Sequence, residues 1–415
     1  MLNYAMNKKH IIIFIALIVA LLTFNNILHN IYVKMSSVPV GIKTSVNTEQ
    51  IPPQKLFDKT WKIIKKHYFD TNLNEQDWNR WKEHYQGKIK TNEDAYVAIN
   101  TMLESLNDPY SRFLSKKEFA ELNSSIDSKI TGIGVNIFSN AGKITILNVI
   151  EGTPASNVGL KAGDIIISVN KKEVNGMQIA DVASLVRGPE NSIVEITVLR
   201  DNKKLIKTIK RKEIKIKTVK SSVDKNIGYI QILSFIGMST SNEFLEALEK
   251  TEKTKGLIID LRGNPGGLLP NAIFIANLFI PEGKIVSIVG RNGYKQDLTA
   301  QKTDYLVNKP LIVLIDNSSA SASEILSGAL KDYKKAKLVG TTTYGKGMVQ
   351  EVLTLPNETG MNLTIAKYLT PNGTDINKKG IMPDVKVELS EDDFKKAHDK
   401  QLETAKSMMQ KMIAE

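Results

Sequence analysis

The 415-residue chain contains no cysteine, which removes disulfides, thiolate nucleophiles and thiolate metal sites from consideration and leaves the redox compartment open. Histidine is scarce. Its five copies, at positions 10, 29, 67, 84 and 398, show no H-E-x-x-H or other ligand spacing. A metalloprotease is therefore disfavoured, and no metal or cofactor is expected. No internal repeat stands out either. Acidic residues number 44 against 56 lysines and arginines, a net charge of +12. The excess is densest at 203–220 and 331–337. A basic exterior suits anionic lipid or wall polymers. Aromatic-interleaved basic motifs are missing, so no nucleic-acid partner is expected.

The amino-terminal end carries the one long apolar run. Lys8 and Lys9 precede a dozen apolar residues at 11–22, and weaker apolar character continues to Val33. The strong part has the length of a signal-peptide core, but no small-x-small cleavage site follows. Reading 1–33 as an uncleaved single-pass segment anchors the chain in the cell membrane, with the bulk on the extracytoplasmic side. A cleaved signal and a secreted product form the alternative. Residues 34–54 are polar, contain Pro52-Pro53 and read as a linker.

The chemistry concentrates in Asn317-Ser-Ser-Ala-Ser-Ala-Ser-Glu324 and Tyr344-Gly-Lys-Gly-Met-Val-Gln350. Before the first lies 311–316, a continuous apolar run of the kind a strand buried on both faces shows. After it, 320–330 has good helix formers at helical spacing. A strand, a tight turn and a helix place the serines where helix N–H groups lack partners and favour negative charge. A hydroxyl there can attack a carbonyl while amides hold the oxyanion. The same spacing, Ser321 with Glu324, is also a capping box that needs no catalysis. Lys346 lies between two glycines, in a turn that could bury it and strip its proton; a solvated surface lysine is the plainer reading.

These residues resemble the carboxyl-terminal processing, or tail-specific, proteases, and the resemblance runs from about residue 55 to 390. It implies Ser321 as nucleophile, Lys346 as general base and Gln350 as the residue orienting the lysine. The oxyanion donors it implies are backbone amides of Ala322 and of Gly266 or Gly267, in Leu261-Arg-Gly-Asn-Pro-Gly-Gly-Leu268. Ser319 and Ser323 flank Ser321 by two residues and point elsewhere on a helix. Asp332 matches an aspartate considered a third catalytic member. Eleven residues from Ser321, it lies about 16 Å along the helix axis, so a structural or electrostatic role fits better. An extended chain separates the backbones of Gln350 and Lys346 by about 13 Å, which requires a bend at Gly347.

The expected fold is an α/β catalytic core with a largely parallel sheet, an inserted β-rich PDZ-like domain and an N-terminal helical subdomain. Helical periodicity at 55–85 and 92–106 marks the subdomain 55–127. It ends in Asn107-Asp-Pro-Tyr-Ser-Arg-Phe-Leu114, where Tyr110, Arg112 and Phe113 are expected to pack between subdomains. Residues 128–213 carry strand patterns at 132–138, 143–150, 164–169 and 193–199 with a helix at 178–186. They resemble a permuted PDZ domain, with Gly132, Ile133, Gly134 and Val135 implied to receive a peptide's carboxylate. Gly159 and Gly163 read as a plain turn, and Arg187 is a candidate for gating through an ion pair across the domain boundary. In the core, 214–390, strands at 228–233, 257–259, 284–289, 311–315 and 337–339 alternate with helices at 239–253, 268–278 and 321–333. Residues 391–415 form a charged helical tail with no identifiable task.

The reading that follows is a membrane-anchored serine peptidase with a Ser–Lys pair, acting on proteins with a free carboxyl terminus; homo-oligomerisation is left open. The alternatives are a catalytically inactive PDZ scaffold at the membrane, and an α/β acyl-transfer enzyme using the glycine amides without a serine nucleophile.

Overall fold

The computed structural model describes residues 46–415 apart from 127–128, 141, 216, 304, 392 and 394–397. The expected anchor at 11–33 lies outside the described residues. Among those described, no helix is long and apolar enough to cross a membrane.

Three helices come first: α1 (Pro53–His67), α2 (Asn79–Tyr85) and α3 (Asn92–Glu104). α1 opens on proline, whose missing N–H is no loss at a first helical position. α3 opens on Thr91, which shares a reciprocal capping box with Asp94. The single helical run expected over 55–85 is broken. Leu73, Asn74 and Glu75 take left-handed φ values of 51°, 59° and 57°, and the Asp70 carboxylate accepts the N–H groups of Asn72 and Asn74 at 2.9 and 2.8 Å. A side-chain-stabilised turn thus replaces the middle of the predicted helix. Phe57, Ile64, Ile99 and Met102 fill the core of this unit. Strand β1 (Arg112–Leu114) and helix α4 (Lys116–Ile126) complete it.

Next comes an insertion bracketed by a ribbon of β2 (Lys129–Gly132) and β9 (Lys212–Lys215), paired antiparallel. Inside it, β3 (Val135–Asn140), β4 (Lys143–Val149), β5 (Ile165–Val169), β7 (Ile193–Arg200) and β8 (Lys203–Lys210) form one sheet in that order, with β6 (Lys172–Glu173) paired to β5. A short α5 (Pro154–Asn157) and α6 (Ile179–Val186) close it. Alternation along β7 sends Val194, Ile196 and Val198 inward, where Val182 of α6 and Ile144 and Ile146 of β4 meet them. β3 stands at one edge of the sheet.

The remaining chain builds two sheets. The first runs β10 (Val219–Asp224), β11 (Ile227–Ile232), β12 (Gly256–Asp260), β15 (Leu311–Ile315), β16 (Lys337–Gly340), β19 (Val385–Lys386). From β11 to β19 every pairing is parallel, and β10 joins antiparallel. β12 and β15 are buried along their whole length, as continuous apolar runs require when both faces are covered. One face packs under α7 (Thr240–Lys250), α8 (Leu269–Asn277) and α9 (Ala322–Asp332) through Leu257, Ile259, Val313 and Ile315. The other face, through Ile258, Ile312 and Leu314, is covered by α10 (Lys400–Ala414).

The second sheet is antiparallel. It is centred on the ten-residue β18 (Gly360–Leu369), which pairs with β17 (Met348–Thr354) along one side. Along the other, β18 pairs first with β1 and then with β13 (Lys284–Gly290), beyond which lies β14 (Lys295–Thr299). The strand expected at 284–289 as part of the parallel core therefore belongs to this second sheet. An apolar run fits either sheet, and pairing with residues 366–369 decides it. One strand, β18, is common to the helical unit and the core.

The tail also departs from expectation, because it packs. Arg262 pairs with Asp260 at 2.6 Å and with Asp399 at 2.7 Å, which fixes the start of α10. Ala405 and Met409 are fully buried, and a Cβ on Gly256 would stand 2.2 Å from Met409 Sδ. Replacing Met409 by alanine leaves a void against the sheet, and a loss of about 2–4 kcal/mol is expected. An unfolding free energy from urea titration lowered by that amount checks it; an unchanged one would remove the tail from the core.

Candidate active site

Ser321 sits at the turn between β15 and α9, with φ 56° and ψ −114°. A non-glycine residue in that region is strained, and it persists only where its surroundings hold it. The restraints can be named. Its N–H donates to the Glu324 carboxylate at 2.8 Å, which is the acidic half of a capping box. The neighbouring serines do not compete for its position: the buried Ser319 hydroxyl donates to Leu261 C=O at 2.8 Å, and the buried Ser323 hydroxyl donates to Asn264 C=O at 3.0 Å. Both staple the serine loop to the loop after β12.

Glu324 does more than cap. Fully buried, it accepts the Ser321 N–H, the Thr343 hydroxyl at 2.6 Å, the Gly345 N–H at 2.8 Å and the Lys346 N–H at 2.9 Å. One carboxylate thus joins the serine turn to the lysine turn. Four donors are what a buried carboxylate needs to offset its lost hydration. Gly345, at φ 86°, lets this happen, because a Cβ there would stand 2.9 Å from Gly380 N and 3.0 Å from Lys379 N. Tyr368 adds a second clamp, with its hydroxyl in reach of Ser321 C=O at 3.2 Å and of Lys346 C=O. Burial and the nearby Glu324 push that phenol well above its ordinary pKa, so it stays neutral.

The glycine loop lies directly against the serine. A Cβ on Gly266 would be 2.8 Å from Ser321 Cβ and 2.9 Å from Ala322 N, so only glycine allows this approach. The two candidate glycine amides differ. Gly266 N–H is taken by Asn264 Oδ1 at 2.9 Å. Among the described residues the N–H groups of Gly267 and Ala322 have no acceptor. Asn264, itself buried and anchored by its amide to Ile232 C=O at 2.7 Å, therefore selects Gly267.

Ser321, Ala322, Gly266, Gly267, Lys346 and Gln350 all line one cleft of about 440 Å³. Lys346 is largely withdrawn from solvent. Burial lowers its pKa below the ordinary lysine value, while the carboxylates of Asp108 and Glu324 pull in the opposite direction without cancelling it. Its amine stands 4.8 Å from the centroid of the Tyr110 ring. No hydrogen bond links it to the Ser321 hydroxyl or to Gln350. Gln350 instead donates to the Thr364 hydroxyl of β18 at 3.3 Å. The bend expected at Gly347 does not bring the two side chains together: the irregularity in β17 is instead a register shift between Val349 and Gln350, and the Gln350 amide turns to its cross-strand neighbour rather than to the lysine. Tyr110, expected to pack between subdomains, also lines the cleft; Phe113 does pack, buried in the helical unit, and Arg112 is exposed.

Elsewhere, Asp332 accepts the Asn372 N–H at 2.9 Å from the far end of α9, fixing a turn away from the cleft. In the insertion, Gly132 ends β2, Val135 begins β3, and the carbonyls of Ile133 and Gly134 accept from Ala155 and Ile150 at 2.8 and 2.9 Å. Among the described residues the N–H groups of Ile133 and Gly134 have no acceptor. Arg187 caps α6 and is exposed. The ion pair expected for it is not formed among the described residues.

Sequence reasoning missed Asn264 and Tyr368 and saw in Glu324 only a cap. Replacing Glu324 by glutamine turns one acceptor oxygen into a donor facing backbone N–H groups. A loss of about 2–3 kcal/mol in stability and at least a tenfold loss of peptidase kcat/KM are expected. Thermal melting and steady-state kinetics check both, and an active, equally stable variant would strip the carboxylate of this role.

Residues 226–387 match the model of peptidase family S41, 145–200 that of a PDZ domain and 53–99 that of the tricorn protease C1 domain. The chain is 41% identical over 314 residues to the carboxy-terminal processing protease CtpA of Bacillus subtilis, covering 74% of this chain and 66% of that protein. It is 35% identical over 347 residues to the carboxyl-terminal-processing protease of Synechocystis sp., covering 81% of each. A solved structure, the photosystem II D1 C-terminal processing protease, is 31% identical and superposes with a TM-score of 0.56 over 82% of this chain and 94% of that one. With a family match over the core, a PDZ match over the insertion and relatives of 35–41% identity, the chain belongs to peptidase family S41, among the carboxyl-terminal processing serine peptidases.

Proposed function

We propose that this protein is an endopeptidase that seizes the free carboxyl terminus of a protein substrate in its PDZ domain and cuts the chain at Ser321. The observation that carries the reading is the convergence, within one cleft, of a strained serine, two unpaired amides and a dehydrated lysine. Lys346, once neutral, removes the Ser321 proton as Oγ attacks the peptide carbonyl. The amides of Ala322 and Gly267 receive the oxyanion, a contribution of about 3–4 kcal/mol per donor in comparable sites. The proton passes to the leaving amine, and water then hydrolyses the acyl-enzyme.

The free N–H groups of Ile133 and Gly134 support capture of a terminal carboxylate. The open edge of β3 beside α6 supports addition of a substrate strand there. Peptides with an amidated carboxyl terminus should therefore lose at least tenfold in kcat/KM, mostly through KM; equal rates for acid and amide would discard capture. We place the catalytic part outside the cytoplasm, on the reading of 11–33 as an anchor, and membrane fractionation with protease accessibility tests that placement.

Ser321→Ala and Lys346→Ala should each lower the peptidase rate by about 10³ or more. Fluorophosphonate labelling should require both residues. Proteolysis retained in Ser321→Ala would end the assignment. Because burial lowers the Lys346 pKa, kcat/KM should fall with decreasing pH through a group titrating below an ordinary lysine. In the same window the unfolded chain holds a proton that the folded one lacks, so stability from this residue rises with pH.

A further inference from the structure

The lysine does not rest on the serine. Its amine lies over the face of Tyr110, 4.8 Å from the ring centroid, with no hydrogen bond to Ser321. Tyr110 reaches the cleft because β1, two residues after it, pairs with residues 360–362 of β18. The loop carrying it is firmly built: Asp108 accepts the Tyr110 N–H at 3.0 Å and the Ser111 hydroxyl at 2.6 Å, and Ser111 in turn accepts the Thr364 N–H at 3.0 Å. Thr364 also holds Gln350. The ring is therefore a fixed platform rather than a mobile surface side chain.

The groups facing the amine come from every side of the cleft. Asp108 of the helical unit and Glu324 of α9 act on its charge, the Tyr110 ring lies against it, Tyr344 of the lysine turn interacts with Tyr110, and Tyr368 of β18 and Glu351 of β17 line the same cleft. The Glu324 oxygens are already committed to four donors, and Asp108 binds its own loop. What the amine meets directly is the π face, and a π face attracts an ammonium rather than a neutral amine.

We propose that Tyr110 is a positioning residue for the general base: its ring parks Lys346 as an ammonium away from Ser321, and turnover begins when the amine leaves the ring. The parked ammonium releases a proton to water. The neutral amine then reaches Ser321 and takes the hydroxyl proton as the Oγ–carbon bond forms; that proton later goes to the leaving nitrogen. This inference rests on the Ser321–Lys346 reading above.

The test uses the full chain and the rate of fluorophosphonate labelling as a function of pH, for wild type, Tyr110→Phe and Tyr110→Leu. Losing the π face removes a preference for the charged lysine, so the acid limb of Tyr110→Leu should move to lower pH by about one unit. Well below the wild-type midpoint this variant should label about tenfold faster. Tyr110→Phe keeps the face and should keep the midpoint. An unmoved or raised midpoint in Tyr110→Leu overturns the proposal, as does an equal shift in Tyr110→Phe, which would assign the effect to the hydroxyl. If Tyr110→Leu melts below the assay temperature, Tyr110→Trp takes its place: the stronger π face should raise the midpoint, and a lowered or unmoved one overturns the proposal. Wild type that is folded yet unlabelled at every pH instead removes the dyad itself.

Discussion

One buried carboxylate holds the catalytic architecture together. Glu324 is placed where a helix start needs an acidic partner, yet its other three donors come from the turn that carries the lysine. The serine's left-handed backbone and the lysine's approach are therefore set by a common atom pair, and neither turn can relax alone. Strain at Ser321 is tolerable because four charge-assisted hydrogen bonds converge beneath it. The same arrangement explains why the flanking residues are small: glycines at 266 and 345 let three loops meet within contact distance of that carboxylate and of the hydroxyl it positions.

The fold supplies the dryness that the chemistry needs. The parallel sheet presents its carboxyl edge to two tight turns, and the antiparallel sheet lays β17 alongside them. Because β18 pairs with β1 of the helical unit as well as with β13 of the core, the wall opposite the serine comes from a part of the chain far away in sequence. That wall contributes Tyr110 and the Asp108 carboxylate. Desolvation favours the neutral amine, and the Asp108 and Glu324 carboxylates oppose it without cancelling it.

What the sequence reveals is local. The run 311–315 and the helix after it are legible because a doubly buried strand must be apolar throughout, and the serines follow at once. The paired glycines at 266 and 267 are legible as a close approach, though which amide remains free depends on Asn264, a long-range matter. Glu324 hides its second role since its spacing to Ser321 is that of an ordinary cap and its other partners lie about twenty residues further on. The strand at 284–289 is visible as a strand but not as a member of either sheet. In α10 the buried Ala405 and Met409 are four residues apart among lysines and glutamates, and their target, the far face of the parallel sheet, leaves no local mark.

The ribbon of β2 and β9 has a mechanical meaning. Where the inserted domain leaves the chain and where it returns, the backbone is already laced to itself by an antiparallel ladder. To the surrounding core the whole excursion enters and leaves through one narrow stem, and because closure entropy grows only with the logarithm of loop length, its many residues add little to the cost of joining the ends. The insertion can thus collapse around Val194, Ile196 and Val198 on its own schedule, and changes in its loops reach the protease as a torque on one narrow stem instead of a rearrangement of its interior.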